Sequence, residues 1–522
     1  MKKLKHCFLI RPASLLTFVL FFLSAQAEVI LPKVLRSRMV LQRDVPVPLW
    51  GTAEPNEKIT VKFGDKTLNT QAAADGAWSV KLPATPAGGP HEIAITDSHG
   101  TITTLSEVLF GEVWVCSGQS NMQMNVGGSD GAKEAIAAAD HPQIRLFTIP
   151  NHTADTPQND TPGKWEICSP KTVPGFSAAG YFFGVELHKS LGVPIGLINT
   201  SWGGTPAESW ATRESLEANP SLQSIAKRWD DVIANYNPEK AKQIHNEAIE
   251  KWKIDAEKAK ADGKPAPKRP NPPDNPHKNP WRAATLYNAM ISPLVRMPVA
   301  GAIWYQGESN VGRAAQYRVL FPAMIQSWRD NWHQPKMPFY FVQIAPYRYR
   351  ADNGLACAEL WDAQFHTLKT VPNTGMAVIS DVGNVADIHP RNKIEVGRRL
   401  ALWALAKTYG KNIVYSGPIY QDIKVEGNKI RVSFDSVGGG LAARDGKPLM
   451  HFAIAGDDQK FEAAVATIDG KTIVVQSDKI AKPVAVRFAW HEEAEPNLMN
   501  KEGLPASPFR SDDWKLITAG RN

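Results

Sequence analysis

Between residues 28 and about 106, apolar side chains alternate or cluster in short runs. Val45–Trp50, Lys58–Phe63, Trp78–Leu82 and His91–Ile95 carry them, with turn clusters such as Gly64-Asp65 and Asp75-Gly76 between. Strands of this length and spacing predict a small β-sandwich. From about 107 to 412 the pattern changes to strand-length apolar runs separated by stretches of helical periodicity. Val108–Cys116, Val193–Asn199, Ala300–Tyr305, Phe339–Ile344 and Gly375–Ser380 predict strands buried on both faces. Ala178–Leu191, Tyr317–Trp332 and Val396–Tyr409 predict helices between them. Such alternation predicts an α/β region, a parallel sheet wrapped by helices. Residues 214–280 interrupt it, charged and helix-prone to about Asp262, then rich in proline and asparagine. This stretch predicts a solvated helix followed by an extended surface loop. From about 413 to 522 short apolar runs return at Ile430–Phe434, Ile473–Val475 and Val484–Phe488, predicting a second β-rich region.

At 522 residues the chain exceeds one core, and two or three domains are expected. Residues 1–27 form a signal peptide in outline: a basic start, an apolar run Leu15–Leu23 and the small-residue site Ala25-Gln26-Ala27. The run is short for a membrane span, so the mature protein is expected to be exported, periplasmic or extracellular, with no membrane anchor. Loss of Lys2, Lys3, Lys5 and Arg11 lowers the formal charge from +7 to about +3. No basic stripe interleaved with aromatics remains, which argues against a nucleic-acid partner. Cys116, Cys168 and Cys357 survive cleavage; one bridge between the last two is the open alternative to three free thiols. Sixteen tryptophans offer faces for sugar rings as well as for cores. Nothing in the sequence sets the oligomeric state.

The chemistry begins where the first strand of the α/β region ends. Gly118-Gln119-Ser120-Asn121-Met122 presents a serine just past Val108–Cys116, as a hydrolase presents a nucleophile at the carboxyl edge of its sheet. The spacing is not that of the G-x-S-x-G elbow. A serine hydroxyl needs a base, and His389 stands in a loop after the run ending at Ser380. Asp387, two residues earlier, is placed to accept from one imidazole nitrogen and leave the other for Ser120. Two further loops follow strands: Asn199–Thr205, with paired Gly203-Gly204, and Trp304–Asn310, with the Gln306 amide. Both can supply donors to a tetrahedral oxyanion.

Taken together, GQSNM, SWGGTPAESW (201–210), WYQGESN (304–310) and DIHPRNKIEVGRRLA (387–401) resemble the sialate O-acetylesterase family, a branch of the SGNH hydrolases that also includes acetylxylan esterases. ATLYNAMISPL (284–294) and NLMNKEGLPASPFRSDDW (497–514) extend the resemblance. It implies a flavodoxin-like SGNH-hydrolase catalytic domain, three-layer α/β/α over 107–412, with accessory β-sandwich regions at both ends. It also implies hydrolysis of O-acetyl esters on a sugar or glycan, with no cofactor and no metal. By the same resemblance Ser120 is the nucleophile and His389 the base. The Ser120 N–H, Gly203 or Gly204, and Gln306 form the oxyanion hole. Gln119, Asn121, Trp202 and Asn310 face the substrate. The chain departs from the superfamily in two places. Gln-Gly-Glu replaces the usual block III asparagine, and Ala386 stands where the acid is expected. Asp387 therefore competes with Glu308 as the orienting acid, and Glu308 has a structural alternative as a brace through Arg313 or Arg398.

An acetylxylan or other plant-polysaccharide esterase is the alternative within enzymes. A catalytically silent carbohydrate-binding protein is the alternative outside them, although a binder has no need of serine, histidine and oxyanion donors together. No H-E-x-x-H or comparable ligand cluster supports a metal-dependent deacetylase.

Overall fold

The computed structural model describes residues 29–521, so the expected signal peptide lies outside the described residues. A single long strand, Ile102–Gly118, organises the molecule. Its first half pairs with Gly88–Thr96 and Val40–Gln42 of the amino-terminal β-region. Its second half, from Glu112 to Gly118, pairs in parallel with Ile195–Asn199 on one side and Gly301–Tyr305 on the other. The first β-region and the α/β region thus share a strand across the expected junction near residue 107, and one hydrophobic core runs through both.

The central sheet continues outward in the order Thr374–Ala377, Phe339–Val342, Gly301–Tyr305, Ile102–Gly118, Ile195–Asn199, His141–Thr148 and Trp165–Cys168. All these neighbours are parallel except the last pair. The chain goes first to one side of Ile102–Gly118 and later crosses to the other. That reversal opens a crevice beyond the carboxyl end of this strand, where ligands bind in open α/β sheets. Val113, Trp114, Val115 and Cys116 are wholly buried, which accounts for a run with no polar alternation.

Helix Ala178–Leu191 packs against Lys393–Lys407, and Ala314–Asn331 packs against Leu355–Thr370. The expected helices start within three residues of the observed ones. His141–Thr148, Trp165–Cys168 and Leu355–Thr370 had no predicted counterpart. The 213–262 stretch is helical, as Arg213–Glu217, Gln223–Ala234 and Pro238–Ala261. The last of these buries none of its residues. The proline-rich segment folds back beside it, where Trp252 Nε1 donates to Pro267 O at 2.7 Å.

The carboxyl-terminal region holds two four-stranded antiparallel sheets that share a second core. Ile430, Val432, Ile473 and Val475 come from one sheet, and Ile454, Val486 and Phe488 from the other. The architecture is therefore mixed α/β, with a large central mixed sheet and additional β-sheets. Cys116, Cys168 and Cys357 are all buried free thiols, so the Cys168–Cys357 bridge does not form. Burial alone pushes the Cys116 thiol far above its ordinary range, which fits an inert core residue. No described helix is long and apolar enough to cross a membrane.

Candidate active site

Gly118 ends the strand Ile102–Gly118 at φ +136°, a conformation that favours glycine, and a Cβ there would sit 2.2 Å from Tyr305 O. The chain turns at this point into a single helical turn, Ser120–Gln123. Met122 and Gln123 donate to Gln119 O, so the helical bonds of this turn leave the Ser120 and Asn121 N–H groups without a partner. Three other loops close on it. Gln119 N donates to Tyr305 O at 2.9 Å, Trp202 N donates to Gly118 O at 3.0 Å, and Asn121 Nδ2 donates to Ile388 O at 2.9 Å. All four loops singled out in the sequence therefore meet at the carboxyl end of the sheet.

Ser120 and His389, remote in sequence, come together. Ser120 Oγ lies 2.8 Å from His389 Nε2. On the other side of the ring, His389 Nδ1 lies 3.9 Å from Asp387 Oδ1, beyond hydrogen-bond range. The same oxygen accepts from the His389 backbone N–H at 2.9 Å, an Asx-type turn that fixes the loop. Burial lowers the His389 pKa below its ordinary value; Asp387 opposes this and Lys393 adds to it. The neutral imidazole is the form that can take a proton from Ser120.

Several expected residues face inward. Glu308 does not reach the imidazole, nor is it a brace through Arg313 or Arg398. Its Oε1 accepts from Asn121 Nδ2 at 2.6 Å, while Arg313 pairs with Glu208 and Arg398 with Glu395. Burial raises the Glu308 pKa, with hydrogen bonding from its own backbone N–H, the Asn121 hydrogen bond and Lys393 acting against it, and Oε2 has no hydrogen-bond partner among the described residues. Asn121 is fully buried and engaged on both amide atoms, so it is turned away from ligand. Asn310 is 1% exposed, donates to Glu208 and accepts from Ala207 N and Gln306 Nε2. Gln119 is 3% exposed and accepts from Ser309 N. Trp202 alone of the four expected substrate contacts is partly exposed.

The expected oxyanion donors differ in the same way. Gln306 is wholly buried, and its Nε2 donates to Asn310 Oδ1 at 2.5 Å and Thr205 O at 3.4 Å. It ties loops together rather than facing the crevice. Gly203 lies beside Ser120, where an added Cβ would be 3.3 Å from Ser120 Cβ, but its N–H donates to Gln123 Oε1 at 2.8 Å. Gly204, at φ +75°, is exposed next to it. Gln123 and Lys393 had not been singled out. A glutamine on a polar turn and a lysine at a helix start both read as solvated, and Lys393 is 0% exposed. No group of His, Cys, Asp and Glu that could hold a metal occurs among the described residues.

A family model for carbohydrate esterases, the sialic acid-specific acetylesterases, matches residues 110–254 and 276–405. The chain belongs to this family. The matched segments contain all four loops of the crevice, and the gap falls inside the solvated excursion. Sialate O-acetylesterase of Mus musculus is 30% identical over 494 residues, 87% of each chain. The Homo sapiens enzyme is 28% identical over 516 residues, 90% of each. A solved carbohydrate acetylesterase from Xanthomonas citri superposes with a TM-score of 0.80 at 38% identity, covering 93% of this chain and all of that one. The protein is accordingly an ester hydrolase of the carbohydrate-esterase type, and its substrate class is an O-acetylated carbohydrate.

Proposed function

We propose that the protein is an exported sialate O-acetylesterase of SGNH-hydrolase type, with a flavodoxin-like catalytic domain, acting through an acetyl-Ser120 intermediate. The observation that carries this reading is the 2.8 Å contact between Ser120 Oγ and His389 Nε2 at the switch point of the sheet. Ile102–Gly118 lies between Ile195–Asn199 and Gly301–Tyr305 where the strand order reverses, as in doubly wound α/β folds, which supports the fold assignment.

His389 Nε2 takes the Ser120 proton as Oγ attacks the acetyl carbonyl. The oxyanion is met by the Ser120 N–H and by the Gly203-Gly204 loop, with the Gly203 N–H joining once Gln123 Oε1 moves aside. Collapse expels the sugar oxygen, which takes the proton from His389. Water, deprotonated by the same imidazole, then releases acetate and restores the hydroxyl. Asp387 faces the correct nitrogen to orient the ring, and the 3.9 Å contact shortens when substrate excludes water. Gln306 supports the site from behind through Asn310. Trp202 offers its ring to the sugar.

Acetate release from O-acetylated sialic acid, compared with acetylated xylo-oligosaccharide, tests the substrate. Preference for the sialic acid is expected. Turnover of the xylan ester alone would move the assignment to plant polysaccharide.

A further inference from the structure

The loop that carries His389 is held from below by buried polar groups that the chemistry above does not use. The two carbonyls flanking the histidine are both claimed by buried side chains. Ile388 O accepts from Asn121 Nδ2 at 2.9 Å, and Pro390 O accepts from Lys393 Nζ at 2.8 Å. Those two side chains also bind one another, Lys393 Nζ donating to Asn121 Oδ1 at 2.7 Å. Asn121 Nδ2 in turn donates to Glu308 Oε1 at 2.6 Å. We propose that Lys393, Asn121 and Glu308 form a buried positioning relay that sets the His389 imidazole by fixing the peptide on either side of it. The proposal rests on reading His389 as the base.

Three facts favour a functional relay over a simple brace. A wholly buried lysine is rare, and replacing a buried charged set with apolar residues is often neutral or stabilising. A fold that needed only filling here would be served by methionine. Second, the Lys393 amine is tied at once to this loop and to the residue after Ser120, through Pro390 O and Asn121 Oδ1, and burial brings its pKa down to about 7, with Glu308 and Asp387 opposing. Third, the relay joins the two halves of the chemistry. Asn121 directly follows the nucleophile, and Lys393 lies 4.9 Å over the ring of Tyr305, whose carbonyl holds Gln119. The start of its helix is fixed independently, since the Asn392 side chain accepts from Glu395 N at 3.1 Å. The lysine is thereby delivered under the histidine, where displacements of an ångström change rates about 10²-fold.

The test measures kcat, KM and melting temperature for Lys393→Met with an acetyl aryl ester, in the parent and in a His389→Ala background. In the parent, kcat is expected to fall about 10²-fold with KM within about three-fold and the fold intact. In the His389→Ala enzyme the same substitution should change the residual rate by less than about two-fold, because a positioning residue has nothing left to position. A parent kcat within about two-fold of native, or an undiminished loss in the His389→Ala background, would overturn the relay. Asn121→Ala removes the donor to Ile388 O and must give the same pattern; if Lys393→Met does not fold, this variant decides. Native rates in Ser120→Ala or His389→Ala would instead overturn the proposed mechanism itself, an outcome separate from failure of the relay.

Discussion

At the scale of single residues, the groups around the imidazole differ by which side of it they meet. Ser120 is at Nε2 and Asp387 at Nδ1, whereas Glu308 meets neither. Asp387→Asn is expected to lower kcat by about 10–10²-fold, measured as acetate release, while His389 remains in place. The effect is smaller than for a buried, hydrogen-bonded triad acid, because Asp387 is 43% exposed at its side chain and 3.9 Å from the ring. Acidity gives a second readout. His389 titrates below its ordinary value of 6.5, so the base is neutral at neutral pH and activity falls only as pH drops through that lowered value. Asp387 pulls the histidine pKa upward, so its neutralisation should move the acid limb of kcat/KM further down. An upward movement in the pH–rate profile would contradict this assignment. Ser120, His389 and Asp387 could be singled out in the sequence because each lies in a loop after a strand, and the structure brings the first two within 2.8 Å of each other. Asn121, Asn310 and Gln306 misled because polar residues in such loops can point to ligand or to one another. Only the fold shows that Glu208 and Glu308 claim the two asparagines.

At the scale of elements, the strand-to-helix turn at Gly118 positions Ser120. Gly118→Ala would place a methyl 2.2 Å from Tyr305 O at positive φ. A displaced Ser120 loop is expected, with destabilisation of at least about 2 kcal/mol and near-complete loss of turnover, checked by thermal melting and ester hydrolysis. The neighbouring strand depends on Trp304, wholly buried among Trp210, Trp328, Phe321 and Phe339. Trp304→Ala should cost about 3–5 kcal/mol in chemical denaturation, and a loss below about 1 kcal/mol would show that this cluster is not the core it resembles. Within the α/β region, the strands that the sequence revealed are those buried on both faces, where apolar runs are unbroken. His141–Thr148 was hidden because its first three residues are histidine, proline and glutamine, and its pairing with Trp165–Cys168 shifts register. Leu355–Thr370 was hidden for another reason. It buries Glu359, Asp362 and Gln364 beside its apolar residues, so no clean apolar stripe marks it.

At the scale of the whole molecule, Ile102–Gly118 couples the amino-terminal β-region to the catalytic sheet, whereas the Pro238–Ala261 excursion stands apart from both cores. Trp252 pins the proline-rich return to that helix through Pro267 O, with Arg269 over its ring at 5.8 Å. Trp252→Ala should raise limited-proteolysis cleavage between 264 and 275 while acetate release stays within about two-fold of native. Loss of activity would instead make the excursion part of the substrate site. The composition of the excursion announced its exposure, but the shared strand at residue 107 was not visible. A change from alternating to continuous apolar pattern looks like a domain boundary even where one strand carries both. The proposed mechanism turns on Ser120. The most direct measurement is peptide mapping by mass spectrometry after exposure to a fluorophosphonate, in the native enzyme and in His389→Ala. A phosphonyl adduct on Ser120 of the native protein is expected, formed at least about 10²-fold more slowly without the imidazole. An adduct on another residue, or equal labelling of Ser120 in both proteins, would contradict that mechanism.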